Sequence, residues 1–173
     1  GGAVGAALHA WHQIMRQPRQ VFAEQDGMQA AQLGPSFSRQ RIKQYLDDNQ
    51  LPYQELPPDQ RARYIAEAIS NEQVVGLFQG RMEFGPRALG GRSILGCPSS
   101  SGVADRINAQ IKFRERWRPF CPSMLSRVAP QMFKVDHPAP FMTFTFEVND
   151  EWKARVPEVV HEDGTARAQT LEP

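Results

Sequence analysis

Long hydrophobic runs are missing from this sequence. No stretch approaches the ~18 apolar residues that a membrane-spanning helix needs, and the mean hydropathy is −0.51, so no transmembrane span is expected. Cysteine is scarce. Cys97 and Cys121 are the only two, each precedes a proline, and two cysteines so far apart fit no metal-ligand spacing. They read as reduced thiols in a cytoplasmic protein. An excess of one charge is lacking too: the formal net charge is +1, which excludes a globally basic nucleic-acid binder. The chain begins Gly1-Gly2-Ala3, with neither an initiator Met nor a basic-then-apolar leader. It is expected to carry no signal peptide and to be a piece of a longer protein.

What is present is ordinary globular composition. Of 173 residues, 40% are hydrophobic, enough for a core, and the length implies one domain with an appendage. Residues 1–17 predict a helix with a broad apolar surface that includes Leu8, Trp11, Ile14 and Met15, stopped by Pro18. Residues 18–35 show no sustained period and read as a linker. Ser38 is a predicted N-cap, followed by an apolar stripe of Ile42, Tyr45 and Leu46 that ends near Asn49. A short strand is expected over 53–56, and Asp59 opens the next helix. Residues 74–78 read as a short buried strand and 93–95 as another. A helix is expected over 102–111, with Val103, Ile107 and Ile111 in register, and a strand within 120–127. Residues 141–148 alternate at period two and give the clearest strand pattern. Asp163-Gly164 marks a turn before a strand over 165–171. Interleaved strands and helices give an α/β class.

Charge is distributed unevenly. From Gly80 to Arg118 the net charge is +5, and the remainder carries −4. Local positive charge is what a site for a small anion requires. The run Gln79-Gly80-Arg81-Met82-Glu83-Phe84-Gly85-Pro86-Arg87-Ala88-Leu89-Gly90-Gly91-Arg92-Ser93 follows a predicted strand. Its glycines let backbone N–H groups approach an anion, and its arginines offer the planar fork that grips phosphate bidentately. A second cluster, Lys112-Phe113-Arg114-Glu115-Arg116-Trp117-Arg118, puts four cations within seven residues. A solvated basic face is the alternative for either cluster alone; the two together favour an anion site. The loop lacks Gly-Lys-Ser/Thr, so it is no Walker A loop, and its glycine spacing is not that of a dinucleotide fold. Residue patterns reach a phosphorylated ligand on an α/β domain and go no further.

The same residues carry a resemblance. Gly80-Arg81-Met82-Glu83-Phe84-Gly85-Pro86-Arg87-Ala88-Leu89-Gly90, with Arg92-Ser93-Ile94-Leu95, resembles the signature of the O-carbamoyltransferases of the nodulation and antibiotic-biosynthesis type. Asp105-Arg106-Ile107-Asn108-Ala109, Lys112-Phe113-Arg114-Glu115 and Arg118-Pro119-Phe120 resemble that family's second block. The likeness implies a YrdC-like domain over 36–173, a twisted open mixed sheet with flanking helices, cut short at its C-terminus. It implies that residues 1–17 close a preceding actin-like domain that is missing here and that holds the family's metal. It further implies that this part binds carbamoyl phosphate and ATP and forms carbamoyl-adenylate, and that the actin-like domain passes the carbamoyl group to an acceptor hydroxyl. On motif match plus charge, the candidate phosphate ligands are Arg81, Arg87, Arg92, Lys112, Arg114 and Arg118, with Arg81, Arg87 and Lys112 as the catalytic set. Ser93 and Asn108 are candidates to orient a carbamoyl or phosphate group. Glu83 either braces an arginine, the favoured reading, or holds Mg²⁺. No metal site is expected in this chain. Gly91, where the family usually has Asn, and Gly96-Cys97-Pro98, where Ala-Asp-Pro is usual, depart from the pattern.

The remaining features have plainer readings. His9 and His12 lack a third ligand, and His137 and His161 have no evident partner set. Phe113 and Phe120 read as core, and Trp117 as the aromatic residue free to reach a ligand. An RNA- or nucleotide-binding module without transferase activity is the alternative function, opposed by the acidic remainder of the chain. The expected partners are small-molecule substrates and the chain's own N-terminal domain. Self-association through residues 1–17 is expected when that domain is absent.

Overall fold

The computed structural model describes residues 1–21, 27–135 and 137–172. Helix α1 (Gly2–His9) continues into a π-helical turn, Ala10–Ile14. Its small residues permit a helix, yet Leu8, Trp11, Ile14 and Met15 all stay exposed. The Ser38 hydroxyl accepts the Arg41 N–H at 3.2 Å and caps α2 (Arg39–Asp48). Pro58, which needs no N–H partner, opens α3 (Pro58–Ser70). The strand expected over 53–56 is an extended connector instead. It is tied to α2 by the Tyr53 hydroxyl on Asp47 and by Arg39 on Glu55.

Strands β1 (Val75–Phe78) and β2 (Arg92–Leu95) pair antiparallel, with Val75 opposite Leu95 and Phe78 opposite Arg92. β1 is half-buried rather than buried, because Gly76 and Phe78 face solvent. Helix α4 (Val103–Ile107) runs on through a π-helical turn, Asn108–Lys112, and Phe113 ends it at φ +48. Beyond the basic cluster comes β3 (Ser123–Leu125), then α5 (Ala129–Met132), β4 (Phe146–Glu147), α6 (Asp150–Lys153), β5 (Thr165–Ala166) and β6 (Gln169–Leu171). β4 and β5 pair antiparallel and β3 and β6 pair parallel.

The α/β class therefore stands, with both parallel and antiparallel pairing. The strands form three two-stranded sheets rather than one continuous sheet among the described residues. The period-two segment 141–148 is strand only at its end. Met142 takes φ +52, which no strand residue adopts, and Pro138 and Pro140 precede it. The alternation survives as burial only in part: Phe144 is exposed, whereas Phe146 and Val148 are buried and join Phe133, Ala139, Ala166 and Ala168 in the core. This core anchors the C-terminal segment, and it is that segment which brings Arg167 to the site described next.

Candidate functional site

The glycine-rich loop leaves β1 and returns as β2, so its ends are pinned by the strand pair. Inside it Glu83 is the keystone. Its side chain is 1% exposed, and Oε1 accepts the N–H groups of Leu89 at 2.7 Å and Gly91 at 2.6 Å. Oε2 lies 3.4 Å from Arg92 Nε. Burial alone pushes this carboxyl up. The Gly91 and Leu89 N–H groups and the Arg92 charge outweigh burial and hold it below the ordinary carboxylate value. Oε1 is thus spent on two backbone donors, whereas Oε2 is buried beside Arg92 without a hydrogen-bond partner among the described residues; the bonds at Oε1 are those of a brace.

Gly91 fits the brace for a steric reason. A Cβ there would come within 2.6 Å of the Arg81 carbonyl oxygen and 3.1 Å of both Glu83 carboxylate oxygens. Gly96 is tight for a different reason, since a Cβ would meet Ile107 and Val103 at 3.2 Å. Close packing thus surrounds both glycines, Gly91 against the loop and Gly96 against α4. Residues 31–34 lace the loop from outside, through Phe84 N–H on Ala31 O (2.6 Å) and Gly34 N–H on Met82 O (2.9 Å).

Beside the loop lies a cleft of 210 Å³. Arg87 and Ser93 reach it from the loop and β2, Lys112 and Arg114 from the basic cluster, and Arg167 from the β5–β6 connection. Among the described residues, no carboxylate forms an ion pair with Arg87, Lys112, Arg114 or Arg167. The Arg87 Nε is buried without a hydrogen-bond partner. Arg114 Nε donates to Asn108 Oδ1 at 2.6 Å, and its guanidinium sits 4.7 Å from the Phe120 ring centre. Burial, then the neighbouring Arg118 and Arg167 charges, push the Arg114 guanidinium down, against Cys121 and Glu115. Arg167 Nε donates to Cys121 Sγ at 3.1 Å, a weak acceptor that fixes the side chain without neutralising it. Ser93 Oγ accepts the Gly90 N–H at 3.1 Å, which leaves its own proton to donate.

The candidate residues therefore divide. Arg87, Ser93, Lys112 and Arg114 converge on the cleft. Arg92 turns back, with Nη2 on Gly85 O at 2.7 Å and Nε toward Glu83. Arg81 is exposed and does not line the cleft, because its backbone packs on Gly91. Arg118 lies 3.9 Å from Glu115 and borders a neighbouring recess with Trp117. Asn108 is not among the residues lining the cleft. It is fully buried, and its amide nitrogen donates to the carbonyls of Arg116 and Arg118 at 3.2 and 3.1 Å. Its place is beneath the basic cluster, where it aims Arg114. His161 Nδ1 meets Thr165 Oγ1 at 3.1 Å, while its Nε2 is buried without a hydrogen-bond partner among the described residues. Arg167 and Cys121 were not among the candidates. The signal for Arg167 was a single arginine between Ala166 and Ala168, both 1% exposed or less, in a segment expected to be strand.

A family model described as Carbamoyltransferase C-terminus matches residues 66–173, a span that includes every residue lining the cleft. The chain belongs to that family. Three relatives illustrate the likeness of this carbamoyltransferase C-terminal region to longer proteins. An uncharacterized protein of Synechocystis sp. is 37% identical over 195 aligned positions, covering 100% of this chain and 32% of the relative. Nodulation protein U of Rhizobium tropici is 44% identical over 107 residues, 62% of this chain and 18% of the relative. Nodulation protein NolNO of Sinorhizobium fredii is 39% identical over 162 residues, 83% of this chain and 24% of the relative. The carbamoyltransferase C-terminal region thus spans about a third or less of these relatives. Among its described residues, no helix is long and apolar enough to cross a membrane.

Proposed function

We propose that this chain is the substrate-activating part of an O-carbamoyltransferase, a YrdC-like domain over residues 36–173. Its cleft takes carbamoyl phosphate and ATP. Carbamoyl phosphate gives up its phosphoryl group to water as inorganic phosphate, and an oxygen of the resulting carbamate displaces pyrophosphate from the α-phosphorus of ATP, giving carbamoyl-adenylate for a preceding actin-like domain to deliver to an acceptor hydroxyl. The observation that carries this reading is the convergence of Arg87, Lys112, Arg114 and Arg167 on one cleft, with no carboxylate among the described residues paired to any of them. Arg87, Arg114 and Arg167 are half-buried and Lys112 is exposed; like charges held around one cleft repel, and a polyanion relieves that repulsion. Arg87, Arg114 and Arg167 present planar forks to phosphate oxygens, Lys112 a point charge, and Ser93 a hydroxyl donor. Asn108 and Cys121 are positioning residues that act through Arg114 and Arg167. Residues 1–17 are the closing helix of that preceding domain, and residues 18–35 link it to the YrdC-like domain.

Calorimetry with pyrophosphate tests the reading. The chain should bind it with an affinity that falls with added salt, and Arg114→Gln should weaken binding by about 1.5–3 kcal/mol, the range of a charge-assisted hydrogen bond. Undiminished binding by a folded Arg114→Gln protein would place the anion elsewhere.

A further inference from the structure

The end of the linker is built in an unusual way. Gln29, Ala30 and Ala31 all take positive φ, at +45, +51 and +67. The left-handed turn they make is closed by Ala31 N–H on Met28 O at 2.7 Å and Gln32 N–H on Gln29 O at 2.9 Å. Among L-residues only asparagine and aspartate visit that region with any regularity, and then singly. Three such residues in a row, two of them alanine, store strain, and strain persists only where surrounding contacts over-determine it. Those contacts are with the glycine-rich loop. The Phe84 N–H donates to Ala31 O at 2.6 Å, the Gly34 N–H to Met82 O at 2.9 Å, and the Met82 N–H to Pro35 O at 3.4 Å. Gly34 lies so close to the loop that a Cβ there would stand 2.8 Å from Met82 O and 2.9 Å from Met82 Cβ.

These bonds fall on either side of Glu83. Residues 28–35 hold Phe84, and Glu83 Oε1 holds Leu89 at 2.7 Å. The arc between the two anchors, residues 85–88, carries Arg87 to the cleft. The Arg87 Nε has no hydrogen-bond partner among the described residues, so the backbone anchors have the larger share in placing this side chain. We infer that residues 28–35 are a positioning strap that sets the affinity of the cleft for anions. Docked on the loop, the strap holds Arg87 at the cleft; released, its left-handed turn relaxes and the anion site loosens. This rests on the anion reading above and adds the regulation of that site by a segment outside it.

Calorimetry with pyrophosphate and amide hydrogen exchange, both on the full chain, test the strap. Coupling between two sites is reciprocal: a docked strap that favours the anion is itself favoured by the anion. Saturating pyrophosphate should slow exchange of the Gly34 and Phe84 N–H groups by about 5-fold or more, the lower end of ordinary coupling. That slowing should exceed any at the Val148 N–H, which Gly164 O holds in the core and which reports global opening. Gly34→Ala sets a Cβ against Met82 and undocks the strap, so it should weaken pyrophosphate binding by about 5-fold or more. Ala30→Gly with Ala31→Gly removes the strain of the turn. Added to Gly34→Ala, the pair should recover part of the lost affinity, and no recovery would overturn the strained-strap inference. A folded Gly34→Ala chain that is less stable yet binds pyrophosphate as the native chain does would also overturn it, and would leave the anion cleft in place. If Gly34→Ala fails to fold, exchange in the native chain decides: equal slowing at Gly34, Phe84 and Val148, or none at all, would overturn the coupling. Failure of the native chain to bind pyrophosphate would sink the anion reading, and this inference with it.

Discussion

Replacing Glu83 by Gln changes one atom and should loosen the whole glycine-rich loop. The carboxylate accepts two backbone N–H groups at 2.6 and 2.7 Å while 1% exposed, and sits 3.4 Å from Arg92. Charge-assisted bonds are roughly twice as strong as neutral ones, so the two lose about 1 kcal/mol each on neutralisation. The half-exposed ion pair with Arg92 adds about 0–1 kcal/mol, and the new amide would set a donor against the Arg92 donor. The expected cost is about 2–3 kcal/mol, read as a lower urea midpoint at unchanged slope. The pH dependence gives a second check. The folded-state pKa lies below the ordinary value, so Glu83 contributes stability that is fully present above the ordinary carboxylate pKa of about 4.3. That stability is lost as pH falls through the lower folded value. The difference between the native chain and Glu83→Gln should therefore shrink only in acid below that range. A cost under about 0.5 kcal/mol near neutral pH, with the loop hydrogen bonds intact, would refute the keystone argument.

Three other outcomes are expected. Arg87→Lys keeps the charge but loses the planar fork. It should weaken pyrophosphate binding by about 1.5–3 kcal/mol, measured by calorimetry with the fold checked by circular dichroism. Asn108→Ala strands the Arg116 and Arg118 carbonyls and frees Arg114. It should cost about 2–4 kcal/mol in denaturant unfolding and weaken anion binding, whereas a neutral result in both would remove its positioning role. Deleting residues 1–17 removes the exposed Leu8, Trp11, Ile14 and Met15. The mass measured by light scattering should then fall to that of a monomer, and an unchanged oligomeric state would rule the helix out as the contact.

Local signals in the sequence were read well where chemistry is local. Ser38 caps α2, Asn49 ends it, and the strands around the glycine-rich loop lie within a residue of their predicted bounds. Longer-range features were not legible. Within 141–148 Met142, Phe146 and Val148 are buried but Phe144 is exposed, and alternation alone cannot tell a strand from an irregular segment that sends only some of those side chains to a core. The arginines illustrate the same limit at the site. Arg81 and Arg92 share the motif with Arg87, yet backbone packing on Gly91 and the pull of Glu83 turn them away from the cleft. Arg167 comes from a segment 49 residues beyond Arg118, and only the packing of Ala166 and Ala168 into the core carries it there. Asn108, a candidate by motif to orient a carbamoyl or phosphate group, is buried with its amide engaged by Arg114 and by the Arg116 and Arg118 carbonyls, contacts no motif announces.

The most direct test of the proposed function is pyrophosphate release from ATP by the purified chain, with and without carbamoyl phosphate. The account predicts release that depends on carbamoyl phosphate, falls sharply in Arg114→Gln and Arg167→Gln, and is not accompanied by transfer to any acceptor hydroxyl. Release of pyrophosphate independent of carbamoyl phosphate, or none from a folded chain that binds both substrates, would contradict it.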